Sequence, residues 1–396
     1  MNFKKYISTG LLSGMAFIST NQLDASDHID FFGGSKNTTI PRALDLTDFY
    51  AWTPEEGKLV VAVNAHLAAI PGKTQFSEQA LYKFRLRNVE MQDTPSKMVK
   101  FPKVIGTSED EVTITCQIKN NDAICGLGNV AGEQTAEGLT VYSGVRGDSF
   151  ILDAVWARKR FSESGKPEVI APTPLAKPSN FSDFLNVLNL TVEIDIAKVL
   201  GSDRSLVGVF SEVVAGGTRV DRVGRPEVTN MIIRTDMKVA IGVDSDGQPI
   251  QESIKHIYNN ADTFQLSPQA KGLFSKFIAA GITGWDKQDA KTDWTSTAQV
   301  DLTNLLVNDY LVVDTTKTCA YNVKTFLDIE RSIEGTYTSC GGRTPSEDII
   351  DTLTSFYVAG PNASKEAYGD GVTRTLNPPS KFAPYFSKPF VRPIQD

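Results

Sequence analysis

Five side chains able to bind a cation or move a proton lie close together near the start of the chain: Asp27, His28, Asp30, Asp45 and Asp48. Carboxylates so crowded repel one another unless something positive or hydrogen-bonding meets them, and a set of hard oxygen donors suits Ca²⁺. The expectation is an acidic, Ca²⁺-binding N-terminal site. A second set, Arg42, Tyr50, Arg146, Asp148 and Asp153, supplies the candidates for contacting a ligand. A guanidinium pairs with a carboxylate in two-pronged fashion, so Arg146 is the expected companion of Asp153, and Arg42 or Arg146 that of Asp48. Read as an enzyme, Asp48 with Asp153 or Asp30 would be the acid and base of a hydrolase, which demands an open cleft and a spacing of several ångströms. The plain alternative is that these Asp residues shape turns and accept backbone amides. His28 has one further option. Were the chain cut after Ala25, a free amine, two amides and an imidazole at the third position would form a square-planar Cu(II) or Ni(II) site. His66 and His256 sit in ordinary surroundings and carry no such argument.

Strands must position these groups. Over 43–52, alternation places Leu44, Leu46, Asp48, Tyr50 and Trp52 on one face, so Asp48 stands in an apolar row. A carboxylate there is costly without a partner. Over 150–157, Asp153 lies between Ile151 and Val155 while Phe150, Leu152, Ala154 and Trp156 fill the opposite face. Alternation recurs at 59–67, 82–86 and 188–196, and further strands are expected at 139–143, 206–214 and 228–234. Strand 112–118, a turn centred on Asn120-Asn121 and a return strand place Cys116 across from Cys125, with Cβ atoms about 4.5 to 5.5 Å apart, near what a disulfide needs. By elimination Cys319 pairs with Cys340.

So many strands with few helical patterns between them favour antiparallel pairing. The expected fold is mainly β, a large antiparallel β-sandwich or barrel-like domain with a helical C-terminal part. Ser267-Pro268 opens a helix that should stop at Gly281. Thr344-Pro345-Ser346-Glu347 reads as a capping box for a second helix, carrying Ile349, Ile350, Leu353, Phe356 and Tyr357 up to Gly360-Pro361. The segment 162–179 reads as a surface loop, Asp244-Ser245-Asp246-Gly247 as a hairpin turn, and the tail from Asn377 as an extended strip across the body.

The 396 residues are 41% apolar, enough for a large core, and the net charge of −7 with no basic block argues against nucleic acid or an anionic membrane surface as partner. Lys4 and Lys5 precede an apolar run over 7–18 and a small-residue cleavage site at Ala25, so residues 1–25 read as a secretory signal peptide. No later run reaches the roughly 18 apolar residues of a membrane span. The mature chain is expected to comprise a β-rich body over 26–260 and a helical and extended part over 261–396 packed on the same domain, exported to the periplasm or medium. Four cysteines paired in disulfides suit that compartment.

Ser26-Asp27-His28-x-Asp30 with Arg42-Ala-Leu-Asp45-Leu-Thr-Asp48-Phe-Tyr50 resembles the N-terminal signature of bacterial secreted proteins grouped as domain of unknown function, family 4331. Gly144-Val-Arg146-Gly-Asp148-Ser-Phe150 resembles that family's central segment, and Arg222-Val-Gly224-Arg225-Pro226 its Arg-x-Gly-x-Pro segment. Phe326-Leu-Asp-Ile-Glu-Arg331 and Cys340-Gly-Gly-Arg343-Thr-Pro-Ser-Glu-Asp348-Ile-Ile-Asp351 resemble its C-terminal block. The resemblance spans nearly all of the mature chain and implies export, with no established activity. The expected function is that of a non-catalytic binding or structural envelope protein whose acidic N-terminal site holds Ca²⁺. The alternatives are a hydrolase of an extracellular polymer and a Cu(II) or Ni(II) binder through His28.

Overall fold

A computed structural model describes residues 41–163, 174–201, 204–233, 238–243, 247–332 and 336–391. The leader over 1–25 and the candidates Asp27, His28 and Asp30 lie outside them, as does most of the turn at 244–247. Among the described residues, strands form three antiparallel sheets. The first has the order β1-β2-β8-β7, with β1 Leu46–Glu55, β2 Lys58–Ala65, β7 Leu139–Gly147 and β8 Asn186–Asp195. The second runs β10-β9-β3-β5-β6, from β10 Thr218–Val223 and β9 Leu206–Ala215 to β3 Ala80–Gln92, β5 Val112–Lys119 and β6 Asp122–Leu127. Strand β4 (Phe101–Val104) pairs with β3, and β13 (Leu311–Asp314) with β9. The third is the ribbon β11 (Lys238–Val243) with β12 (Pro249–Ser253), which flanks the expected hairpin turn.

Alternation explains the two large sheets. Leu59, Val61 and Val63 of β2, Leu188, Leu190 and Val192 of β8, and Tyr82, Phe84 and Leu86 of β3 all enter one core, and the rings of Phe49 and Phe84 meet across it at 6.2 Å. The sheets do not close into a barrel. The outer face of the first sheet is also covered, because Tyr385 and Phe386 of the extended tail pack on Tyr50, Trp52, Val60 and Ala62. Hence β8 is buried along most of its length on both faces.

Helices are scattered along the chain, and only some of them fall in the C-terminal part. α1 (Ala154–Glu163) occupies what reads as a strand, and a π-helix covers Val228–Ile233 where β-branched residues suggest another. Later come α2 (Ile254–Asn260), α3 (Pro268–Asp286), α4 (Ser296–Val307) and α5 (Ile349–Ala359). Ser267 caps α3 as expected, yet the helix runs through Gly281. A Cβ there would lie 2.2 Å from the Ile232 carbonyl oxygen, so this glycine permits close packing on the π-helix and does not stop α3. α5 begins later than the capping box implies. Asp348 is its N-cap, and Glu347 instead accepts the amides of Thr325 and Phe326.

Both disulfides form as expected. Cys116 and Cys125 are direct partners in the β5–β6 register, and Asn120 and Asn121 both take positive φ in the intervening turn. Cys319 is bonded to Cys340. The segment Cys340-Gly-Gly-Arg343 then ties the two large sheets together. Arg343 exchanges backbone hydrogen bonds with Ala51 of β1 at 2.9 and 3.1 Å, while Gly342 N–H donates to Val312 of β13 at 2.7 Å. A Cβ on Gly342 would stand 2.0 Å from the Ala51 oxygen, so only glycine fits between the strands.

Candidate functional site

Asp48 lies on β1 and is 1% exposed. Its expected companion was Arg42 or Arg146; the structure supplies Arg343, whose Nη2 donates to Asp48 Oδ1 at 2.7 Å and whose Nη1 donates to the Phe49 carbonyl at 3.4 Å. The tie described above explains the pairing, since the strand-like contact of Arg343 with Ala51 delivers its side chain beside β1. The guanidinium stacks over Tyr50 at 4.3 Å and over Phe150 at 5.8 Å. Burial and then the neighbouring Tyr50 and Asp48 act on Arg343, and the net direction is a raised pKa, so the cation is secure. Burial pushes the Tyr50 hydroxyl well above its ordinary value, with Asp48 and Asp148 adding to the rise and Arg343 opposing it. Tyr50 Oη lies 3.4 Å from Ser149 Oγ. Asp48, Tyr50, Asp148 and Arg343 thus form one sealed group.

The expected face pattern of β1 holds only in part. A bulge between Leu46 and Phe49 shifts the register, so Leu46 joins Phe49 and Ala51 in the main core while Tyr50 and Trp52 face the tail. Both faces are buried, and Asp48 needs its partner either way.

Asp45 is buried and lies close enough to Asp221 of β10 to act on it electrostatically. Burial first and Asp45 second push the Asp221 carboxyl up to about 8, although Leu46 N–H, Arg222 N–H and the Asn259 amide all donate to it at 2.8 to 2.9 Å. Arg42 is exposed in a short 3₁₀ turn, and Arg146 is half-buried on β7, donating to the Val145 carbonyl.

Asp153 departs most from its expected setting. It caps α1: Oδ1 accepts the amides of Val155 and Trp156 at 2.9 and 2.8 Å, and Oδ2 that of Ser179 at 2.8 Å. Backbone amides do what Arg146 was expected to do. The signal was present, since Asp is a favoured N-cap and Trp156 and Arg160 follow at helical spacing, both buried. Asp153 N–H in turn donates to Asp370 Oδ2 at 2.6 Å. The roles of Asp370, Asp221 and Arg343 are not legible in the sequence, because contacts 175 to 295 residues apart leave no local pattern.

Among the described residues, no three His, Cys, Asp or Glu side chains are arranged to hold a metal ion. Two cavities among the described residues are open and lined mostly by polar surface. One of about 560 Å³ runs along Lys83, Arg85, Glu111 and Glu212, where Arg85 is already engaged by Glu111 at 2.6 Å and Asp262 at 2.9 Å. None of the candidate acids lines it. Comparison with models of known protein families, with curated proteins and with solved structures finds no match.

Proposed function

We propose that the protein is a non-catalytic binding or structural component acting outside the cytoplasm, built as a β-sandwich. The observation that carries this reading is the sealing of its acids: Asp48, Asp148 and Asp153 are at most 3% exposed, and Asp48 and Asp153 are committed to Arg343 and to backbone amides. A hydrolase acting through Asp48 and Asp153 needs carboxylates facing a cleft that admits substrate. Two disulfides support an oxidising location, and no helix among the described residues is long and apolar enough to cross a membrane. The motif likeness to family 4331 supports export. With Asp48 engaged by Arg343, Ca²⁺ binding would draw on Asp27, His28, Asp30 and Asp45.

The test joins two measurements on the purified protein. Asp48→Asn and Asp153→Ala should lower stability while the wild type turns over none of a panel of glycan, ester and peptide substrates. Turnover by wild type that is lost in a folded Asp48→Asn or Asp153→Asn variant would replace the proposal with the hydrolase. Metal analysis then addresses the cation. Bound Ca²⁺ should fall with Asp30→Asn and persist in Asp48→Asn, and the opposite pattern would return Asp48 to the ligand set.

A further inference from the structure

Four buried aspartates are threaded into a relay in which each carboxylate accepts the backbone amide of the next. Asp348 Oδ1 accepts Asp351 N–H at 3.1 Å, Asp351 Oδ1 accepts Asp370 N–H at 3.0 Å, and Asp370 Oδ2 accepts Asp153 N–H at 2.6 Å. Asp153 then closes the line by capping α1 and holding the Ser179 amide. Asp370 also accepts Val372 N–H at 2.8 Å. The relay crosses three segments far apart in sequence: the start of α5, the loop over 369–372 and the start of α1. The loop is pressed hard against it, for a Cβ on Gly369 would fall 1.8 Å from an Asp351 carboxylate oxygen.

We propose that this relay is a pH-sensitive clasp, which holds the 369–372 loop between α1 and α5 while it retains protons and releases the loop when its carboxylates ionise together. Amides can donate to either charge state of a carboxyl, so the links themselves do not require full ionisation. Repulsion among neighbouring anions in a buried setting does oppose it. Burial, followed by the charge of Asp370, pushes Asp351 up to about 7. Burial and Asp351 push Asp348 well up, and burial is also the main cause raising Asp370.

Lys324 favours the anions of Asp348 and Asp351, but its ammonium is shared with Glu366. Glu347, beside Asp348, is engaged by Lys365 at 3.5 Å and by two amides, and Lys365 also meets Asp328 at 2.8 Å. On the neighbouring side of α5, Asp286 holds the amides of Asp293 and Trp294, and Asp289 pairs with Lys291 and the Tyr368 hydroxyl. Burial and the neighbouring acids thus raise Asp348 and Asp351 despite Lys324, and burial raises Asp370.

Amide hydrogen exchange, corrected for its intrinsic pH dependence, tests the clasp in the intact protein. Between pH 5.5 and 8.5, protection of peptides covering 366–376 and 150–160 should fall at least about tenfold, one pH unit beyond the Asp351 value being a factor of ten per acid. Asp351→Asn keeps an oxygen for the Asp370 amide and cannot ionise, so the fall should flatten. Lys324→Gln, a partly exposed change that should fold, removes the group favouring the anions and should move the loss of protection to higher pH. Unchanged wild-type protection across the range would overturn the proposal. So would a wild-type-sized fall in folded Asp351→Asn, or a midpoint that stays or drops in Lys324→Gln.

Discussion

Two regions of this molecule bury the same kind of group in different ways. At β1, Asp48 is neutralised by Arg343, a cation carried in by a segment that is itself paired to the strand. At the junction of α1, α5 and the 369–372 loop, Asp153, Asp351 and Asp370 accept backbone amides, and burial raises the pKa values of Asp351 and Asp370. The first arrangement keeps its charge balance across ordinary pH. The second depends on pH, because a proton is a partner that can leave.

The contrast is sharpest when one half of the ion pair is removed. Arg343→Met should cost about 3 to 5 kcal/mol in chemical denaturation, since it strands Asp48 as a buried, uncompensated charge. A loss below about 1 kcal/mol would mean that Asp48 finds another companion and that the two regions do not differ as described. Next in size is the Cys319–Cys340 disulfide, which anchors the same segment. Replacing both cysteines with Ser should cost about 3 kcal/mol on the chain-entropy account, more than replacing Cys116 and Cys125, whose loop is shorter. Equal losses would show that the segment is held by Arg343 and its backbone bonds alone.

At the second region the expected effects are smaller. Asp153→Ala should cost about 1 to 2 kcal/mol through the lost helix cap, with Asp153→Asn recovering most of it. Were Asn as damaging as Ala, the charge of Asp153 would matter more than its cap. The pH profile follows from the raised acids. A carboxyl whose folded value lies above its unfolded one stabilises the fold fully below the unfolded value, and that contribution is lost as pH rises through the folded value. Asp351, at about 7, and Asp221, at about 8, should therefore make the protein lose stability from about pH 4 to pH 8. Denaturation midpoints should fall along that range in wild type and fall less in Asp351→Asn. A midpoint that rises from pH 5 to 8 would contradict the sign.

Much of the framework was legible because it is local. The alternation of β2, β3 and β8, the Cys116–Cys125 register and the end of α5 at Gly360 follow from side-chain period and turn chemistry within a dozen residues. Tertiary context overrode local preference elsewhere. Val228–Ile233 has the β-branched residues of a strand and forms a helix packed on α3, and Gly281 looks like a stop but is a contact point. The need of Asp48 for a companion could be read from its apolar row, whereas the identity of that companion could not, lying 295 residues away. Asp153 reads as a strand residue because a run of alternating side chains imitates a strand when a helix cap sits in its middle.

The account rests on Asp48 and Arg343 forming a structural pair, and a double-mutant cycle tests that most directly. Stabilities of wild type, Asp48→Asn, Arg343→Met and the double variant should show the two changes to be strongly non-additive, with a coupling of about 2 kcal/mol or more and the double variant less damaged than the sum of the singles. Additive losses, with coupling near zero in folded variants, would contradict it.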